Sequence, residues 1–253
     1  MQLHSVINPD ATKFELLETF ILPKELNEIS GIDHFSETEL IAVQDEKGSV
    51  FWIDKNSGKI NRKRKFGPKD DYEGILLNKG TIFANNSNGK IWRMDASDSE
   101  VILKSIDKKH DFETLIALSD SELVLIDKAP VEKGKNCINS IFLVDLDQQS
   151  ATQMDNYNLS SENIEKVIGL KLKGGLYPSD ATVYKQQYFI LSHRHKLILV
   201  TNRNFDPIDY IELPEKYLPQ PEAICFDNEF LYLASEKVKD KKAVLLKFKI
   251  LAS

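Results

Sequence analysis

Cysteine is nearly absent from this chain, which holds only Cys137 and Cys225. Two cysteines cannot make a disulfide framework, and no CxxC spacing offers a zinc site. Cys225 falls at an inward strand position and Cys137 in a loop of another repeat unit, so a bridge between them has little support. Long apolar runs are missing too: none approaches the roughly 20 residues that cross a bilayer. Met1-Gln2-Leu3-His4-Ser5 lacks the basic start and apolar core of a secretion signal, although a chain that begins after a removed leader would look the same. A surplus of basic residues is also absent. With 33 Lys and Arg against 39 Asp and Glu, the net charge of −6 excludes a nucleic-acid binder, which needs a basic field to displace counterions. The one basic run, Arg62, Lys63, Arg64 and Lys65 before Phe66, reads as a solvated outer strand whose charges resist edge pairing.

What the chain does contain is a repeat. Asp71-Tyr72-Glu73-Gly74-Ile75-Leu76-Leu77 returns in shortened form as Ile29-Ser30-Gly31-Ile32, Phe112-Glu113-Thr114-Leu115, Pro178-Ser179-Asp180-Ala181 and Pro221-Glu222-Ala223-Ile224. Each copy is an apolar residue or Pro, then Ser or Glu, then a small or polar residue, then an aliphatic one that opens a short strand. The spacing is about 40–45 residues, the length of a four-stranded propeller blade. One interval, from Glu113 to Ser179, is longer by roughly half a blade. The 253 residues, 42% hydrophobic and 28% charged, suffice for one large all-β domain or two smaller ones, and the repeat favours the first.

Between the anchors, short β-rich runs alternate with Gly, Asn and Asp turns. Leu40-Ile41-Ala42-Val43 and Val50-Phe51-Trp52-Ile53 belong to the first blade, and Thr81-Ile82-Phe83-Ala84 and Lys90 to Asp95 to the second. In the third, residues 127–139 form a hairpin loop longer than its counterparts. The excess before the fourth anchor lies in residues 147–177, where Ser160-Ser161-Glu162 caps one inserted helix. The fifth blade is one strand short when the chain ends, and the strand-like Phe14 to Leu22 has no blade of its own. Joining the two closes the ring and leaves no long edge unpaired. The expected architecture is an all-β, five-bladed propeller over residues 10–253, with residues 1–9 as an N-terminal tail.

Up-and-down counting places the turn before the first strand and the turn after the second at the same end of a blade. Ser30, Glu73, Glu113, Ser179 and Glu222 should therefore ring one mouth of the central channel, with Asp45, Asn86, Asp127, His193 and Glu236 beside them. Gathered carboxylates repel unless protonated, hydrogen-bonded or neutralised by a cation. Calcium suits hard oxygens in flexible geometry, whereas only one histidine could serve a softer metal. The candidate ligands are Glu73, Glu113, Glu222, Asp127, Glu236 and Asp45, and Ser30, Asn86, Ser179, Asp180, His193 and Tyr72 complete the mouth. The plainer reading is that Ser or Glu before a strand only ties adjacent blades together, and that Tyr72, Phe112 and Tyr177 fill the core rather than form a collar for a ligand. Asp180 either adds an oxygen to the mouth or caps its turn. As consecutive strand residues His193 and His195 would share one side with Arg194 opposite, and His193 could act as a general base, although a polar hairpin with no catalytic duty is the plainer reading.

The anchors, the phrase Leu40-Ile41-Ala42-Val43-Gln44-Asp45-Glu46 and Leu191-Ser192-His193 together resemble the SdiA-regulated (YjiK-like) family across roughly residues 20 to 250. The resemblance implies a five-bladed propeller distantly similar to NHL-repeat proteins, a calcium site at a channel mouth and no settled activity. Export or lipid anchoring is the implied location, with the cytoplasm as the alternative. Two functions follow as expectations. One is a calcium-stabilised propeller that binds a small ligand or a protein. The other is a calcium-dependent esterase, lactonase or phosphoesterase in which His193 or a free carboxylate activates water. With no nucleophile and base pair legible, binding is preferred.

Overall fold

The computed structural model describes residues 1–7, 13–106, 109–155, 157 and 159–251. Every repeat unit becomes one antiparallel blade with its strands in chain order. Blade 1 is built from Ile29–His34, Glu39–Gln44, Lys47–Asp54 and Ile60–Lys65, and blade 2 from Tyr72–Asn78, Thr81–Asn86, Ile91–Met94 and Ser99–Leu103. Blade 3 holds Ile116–Ala117, Glu122–Ile126, Ile141–Asp145 and Ser150–Gln153, and blade 4 Asp180–Tyr184, Gln187–Ser192, Leu197–Thr201 and Pro207–Glu212. Pro221–Phe226, Phe230–Ser235 and Val244–Leu251 begin blade 5, and Lys13–Ile21 completes it by pairing antiparallel with Val244–Leu251. The fold is a five-bladed β-propeller closed by its N-terminal strand, as expected.

Second strands such as Leu40-Ile41-Ala42-Val43 are apolar without alternation because both faces are covered by neighbouring blades. Five apolar clusters result, one per blade interface. Ile41, Val50 and Trp52 meet Ile75, Ile82 and Met94 between blades 1 and 2. Leu40, Phe51 and Ile53 meet Cys225, Tyr232 and Leu245 between blades 5 and 1, so the ring is shut by apolar packing as well as by strand pairing. Both cysteines are buried and free. Ile60–Lys65 is an outer strand and largely exposed, which agrees with edge protection by its charges.

Two features add to the sequence reading. Within the N-terminal tail, Gln2–Leu3 pairs with Phe14 and Glu15 as a fifth strand of the closing sheet, and Ser5 bridges to Ile211 of blade 4; residues 8 and 9 lie outside the described ones. The long loop of blade 3 carries its own two-stranded ladder, Val131–Lys133 with Asn136–Ile138. The inserted helix, α1 (Ser161–Ile168), starts where Ser160 Oγ accepts the N–H of Asn163 at 3.2 Å, and it ends at Gly169 in the left-handed region. Its buried Ile164 and Ile168 dock on the cluster between blades 3 and 4.

Candidate functional site

The anchor motif has a structural meaning that the sequence only hinted at. In blades 1, 2 and 5 the ladder between first and second strands skips one residue, and the skipped ones are Ser30, Glu73 and Glu222. A bulge leaves a residue unpaired and re-aims its side chain. The glycine that follows in two of the motifs is required by close approach. A Cβ on Gly31 would lie 3.0 Å from Ile75 N and 3.1 Å from Glu73 O, and one on Gly74 would lie 2.4 Å from Asn85 Oδ1. Blade 3 reaches a similar result differently. Thr114 Oγ1 accepts the N–H of Ile126 at 2.8 Å in place of a ladder bond, and Glu113 sits just before it, 7% exposed.

The serines of the ring tie blades together. Ser30 Oγ donates to Tyr72 O at 2.7 Å and Ser179 Oγ to Pro221 O at 3.1 Å, each reaching the next blade. Asp180 is a cap within the wall: its carboxylate accepts from Ala181 N at 2.8 Å and Ile224 N at 2.7 Å. Tyr72 does not line the mouth. Its ring is fully buried against Phe66 and Trp92, because the bulge that turns Glu73 toward the axis turns Tyr72 into the core between blades 1 and 2. Phe112 is core as well, and Tyr177 lies under the Arg194 guanidinium at 3.9 Å. Asp127, 2% exposed, is engaged within blade 3, where it contacts His110 Nδ1 at 2.5 Å and accepts from the N–H groups of Asp111 and Ala129. Asn86 Oδ1 accepts from Trp92 Nε1 at 3.0 Å. Residues 193–196 form the turn itself, so strand alternation does not apply to them: His195 Nε2 bonds Gly175 O at 2.7 Å, while His193 faces Glu222.

The groups left to act on one another are Glu73, Glu113, Glu222, Glu236 and Asp45, and they are not balanced by charge alone. Burial, then the neighbouring Glu113, pushes Glu73 up to about 9. Burial pushes Glu113 up to about 8 against the pull of Lys128, and burial with the charges of Glu222 and Asp45 lifts Glu236 to about 8. Asp45 rises to about 6 through burial and Glu28. At neutral pH Glu73 and Glu236 hold protons that ordinary carboxylates would have released.

Lys128 is the residue that sequence reasoning passed over. It follows Asp127 in the second column, where it read as a turn residue, yet its ammonium bonds the Glu113 carboxylate. Burial alone would lower its pKa, but Glu113, Glu222 and Asp111 together hold it above the usual range. His193 Nδ1 stands 3.3 Å from Glu222 Oε1 without the alignment of a hydrogen bond. Gln220 Nε2 donates to Glu236 at 2.6 Å. At the ends of the second strands, Gln44 Oε1, Asn85 Oδ1 and Asn86 Nδ2 are buried without a protein partner, an arrangement that costs free energy unless something else meets them.

No protein-family model matches the chain, and no curated protein matches its sequence. Solved structures do. Glutaminyl cyclase from Myxococcus xanthus superposes with a TM-score of 0.67 at 7% identity, covering 94% of this chain and 97% of the other. The PQQ-bound aldose sugar dehydrogenase of Streptomyces coelicolor gives 0.57 at 12% identity over 96% of this chain and 99% of its own. A structural genomics protein of unknown function from Bacteroides thetaiotaomicron gives 0.58 at 10% identity over 99% and 76%. What they share with this chain is the propeller fold. At such identities fold carries no chemistry across, and two of the three are enzymes of unlike reactions by name.

The donor set of the mouth suits a hard cation: carboxylates, with the orphaned oxygens of Gln44 and Asn85 nearby. Among the described residues, however, no three Asp, Glu, His or Cys side chains converge closely enough to hold a metal as they stand. The cation among them is Lys128.

Proposed function

We propose that this is a binding propeller whose acidic mouth recognises a cation, with calcium the ion its oxygen donors suit best and a small ligand or protein partner recognised on the face around it. The observation that carries this reading is Lys128, whose ammonium is drawn in by Glu113 and by the charges of Glu222 and Asp111. A mouth that must be neutralised by protons and by one of its own lysines has affinity to spare for an incoming cation. Glu73, Glu113, Glu222 and Glu236 are the residues that would hold calcium, while Asp127 and Asn86 are already engaged. The motif-level resemblance to the SdiA-regulated family supports the same choice of ion.

Two changes have to accompany binding. Lys128 swings away from Glu113, and the protonated carboxylates release their protons. Calcium is therefore expected to bind more tightly at pH 9 than at pH 7 and to eject protons, which calorimetry in buffers of different ionisation enthalpy measures. Lys128→Met, which removes the competing ammonium, should enlarge the calcium-induced rise in Tm, and Glu73→Gln should shrink it. If neither the parent chain nor Lys128→Met shifts its Tm with millimolar calcium, calcium is the wrong ion.

A second reading has its own observation, the 3.3 Å approach of His193 to Glu222. In a hydrolase, calcium would supply polarisation of an ester or phosphoryl oxygen, and His193, oriented by Glu222, would take a proton from water. Calcium-dependent turnover of simple esters, lactones or phosphoesters that His193→Ala abolishes would establish it; a Tm shift without turnover leaves the binding reading standing.

A further inference from the structure

At the opposite end of the propeller, where first strands finish, a second constellation lies between blades 5 and 1. Lys55 follows the third strand of blade 1 and is 2% exposed. Its Nζ reaches Asp227 Oδ2 at 2.7 Å and His34 Nδ1 at 2.7 Å. An ammonium can only donate, so His34 Nδ1 must accept, and the ring proton sits on Nε2. His34 lines an open cleft of about 430 Å³ together with Tyr184, Lys185, Phe226, Asp227 and Asn228, and Nε2 is the ring nitrogen not taken by Lys55.

The carboxylate beside Lys55 is fully engaged. Asp227 takes Lys55, the N–H groups of Glu229 and Phe230, and the Tyr232 hydroxyl. Burial raises its pKa, but these donors outweigh it and hold the carboxyl below its usual range. Asp33 accepts from His34 N at 2.8 Å and Leu77 N at 2.7 Å. The cleft is thus lined by groups able to donate: His34 Nε2–H, the exposed Lys185 ammonium and the NH₂ of Asn228, whose amide oxygen can also accept. A second cavity adjoins this cleft. Val183 and Phe226 line both this cleft and the axial channel, a cavity of about 290 Å³ lined mainly by aliphatic residues from all five blades, Ile75 and Ile116 among them, with Asp33 and Thr182 as its polar side chains. That size is near the lower end of ordinary small-molecule pockets, about 300 Å³.

The geometry points to a second binding site, on the face away from the acidic mouth, for a small amphipathic carboxylate. The carboxylate head bonds His34 Nε2–H and Lys185, and the apolar body enters the axial channel past the Tyr184–Phe226 stack, whose rings lie 4.4 Å apart. Lys55 acts as a positioning residue: it fixes the tautomer of His34, and Asp227 holds Lys55 in place. This site is independent of any cation at the other end.

The full chain titrated calorimetrically with decanoate, decylamine and decanol, each below its micelle-forming concentration, tests the assignment. Decanoate is expected to bind with one-to-one stoichiometry and more tightly than decanol. Lys185→Glu lies on an exposed turn and should weaken decanoate roughly tenfold, the loss of one charge-assisted hydrogen bond, with decanol unchanged. Thr182→Phe, at a half-exposed position on the channel wall, should abolish both while far-UV circular dichroism stays native. Decylamine binding as tightly as decanoate would overturn the assignment in favour of a cation drawn by Asp33. Decanoate binding unaltered in both variants would reduce it to surface adsorption, and no heat with decanoate would remove the site altogether.

Discussion

A glutamate that keeps its proton at neutral pH makes the folded state sensitive to base. Glu73 stands at about 9, Glu113 and Glu236 at about 8, and Asp45 at about 6, all above ordinary carboxylate values near 4. Between those limits these groups bind more protons in the folded chain than in the unfolded one, so their contribution to stability is fully present below about pH 4 and is lost as pH rises through 6 to 9. Urea unfolding at pH 5, 7 and 9 should show that decline, and Glu73→Gln should flatten it. Lys55 sets a second test at this scale. Replacing it with Met strands the Asp227 carboxylate without its cation, and a loss on the order of 3 kcal/mol is expected from equilibrium unfolding. Neither lysine was legible as a functional group in the sequence. Lys55 and Lys128 each follow an aspartate in a turn, where a lysine reads as solvated, and the partner of Lys55 lies 172 positions away. The acids of the mouth were legible because the repeat stacked them in a column; Asp227 lies outside that column, and the two lysines are not repeated.

At the scale of the strand and the helix, the motif of an apolar residue or Pro, then Ser or Glu, then Gly or Ala encodes a bulge, and in blades 1 and 2 the Gly allows a close approach to the next blade. Blades 1, 2 and 5 share this bulge at Ser30, Glu73 and Glu222, which is what makes their anchors alike in sequence. Gly31→Ala would press a Cβ on the backbone of Glu73 to Ile75 at 3.0–3.1 Å, and a cost of roughly 1–3 kcal/mol is expected, read as a lower Tm with an unchanged circular dichroism spectrum. The sequence was less informative in blade 3. There Thr114 substitutes its hydroxyl for a ladder bond, the first strand shrinks to Ile116–Ala117, and the long loop holds a ladder of its own. Side-chain substitution for backbone bonds leaves no periodic trace. His193-Arg194-His195 folds as a polar hairpin turn, the plainer reading of it, so strand alternation does not set the sides of its two histidines. The helix was legible from its cap, and Ser160→Ala should cost about 1 kcal/mol without disturbing the blades.

For the whole molecule, the decisive element is the strand that closes the ring. Lys13–Ile21 comes from the start of the chain and pairs along the length of Val244–Leu251, while Phe14, 1% exposed, packs with Phe226 and Phe248 between blades 4 and 5. A chain beginning at residue 23 would keep every residue of the other four blades. It would nevertheless expose Val244–Leu251 as an unpaired apolar edge, which invites pairing with another molecule. The truncated protein is therefore expected to lose its cooperative melting transition and to associate, as sedimentation would show. A synthetic peptide of residues 13–22 added in trans should restore both the transition and the monomer, because the vacancy has the register of one particular strand. A peptide with the same residues in scrambled order should not. If the truncated chain melts as the parent does, the ring is held by its five apolar interfaces alone and strand exchange contributes little. If the peptide rescues, the closure inferred from one surplus strand and one short blade is the interaction that makes five repeats into one folding unit.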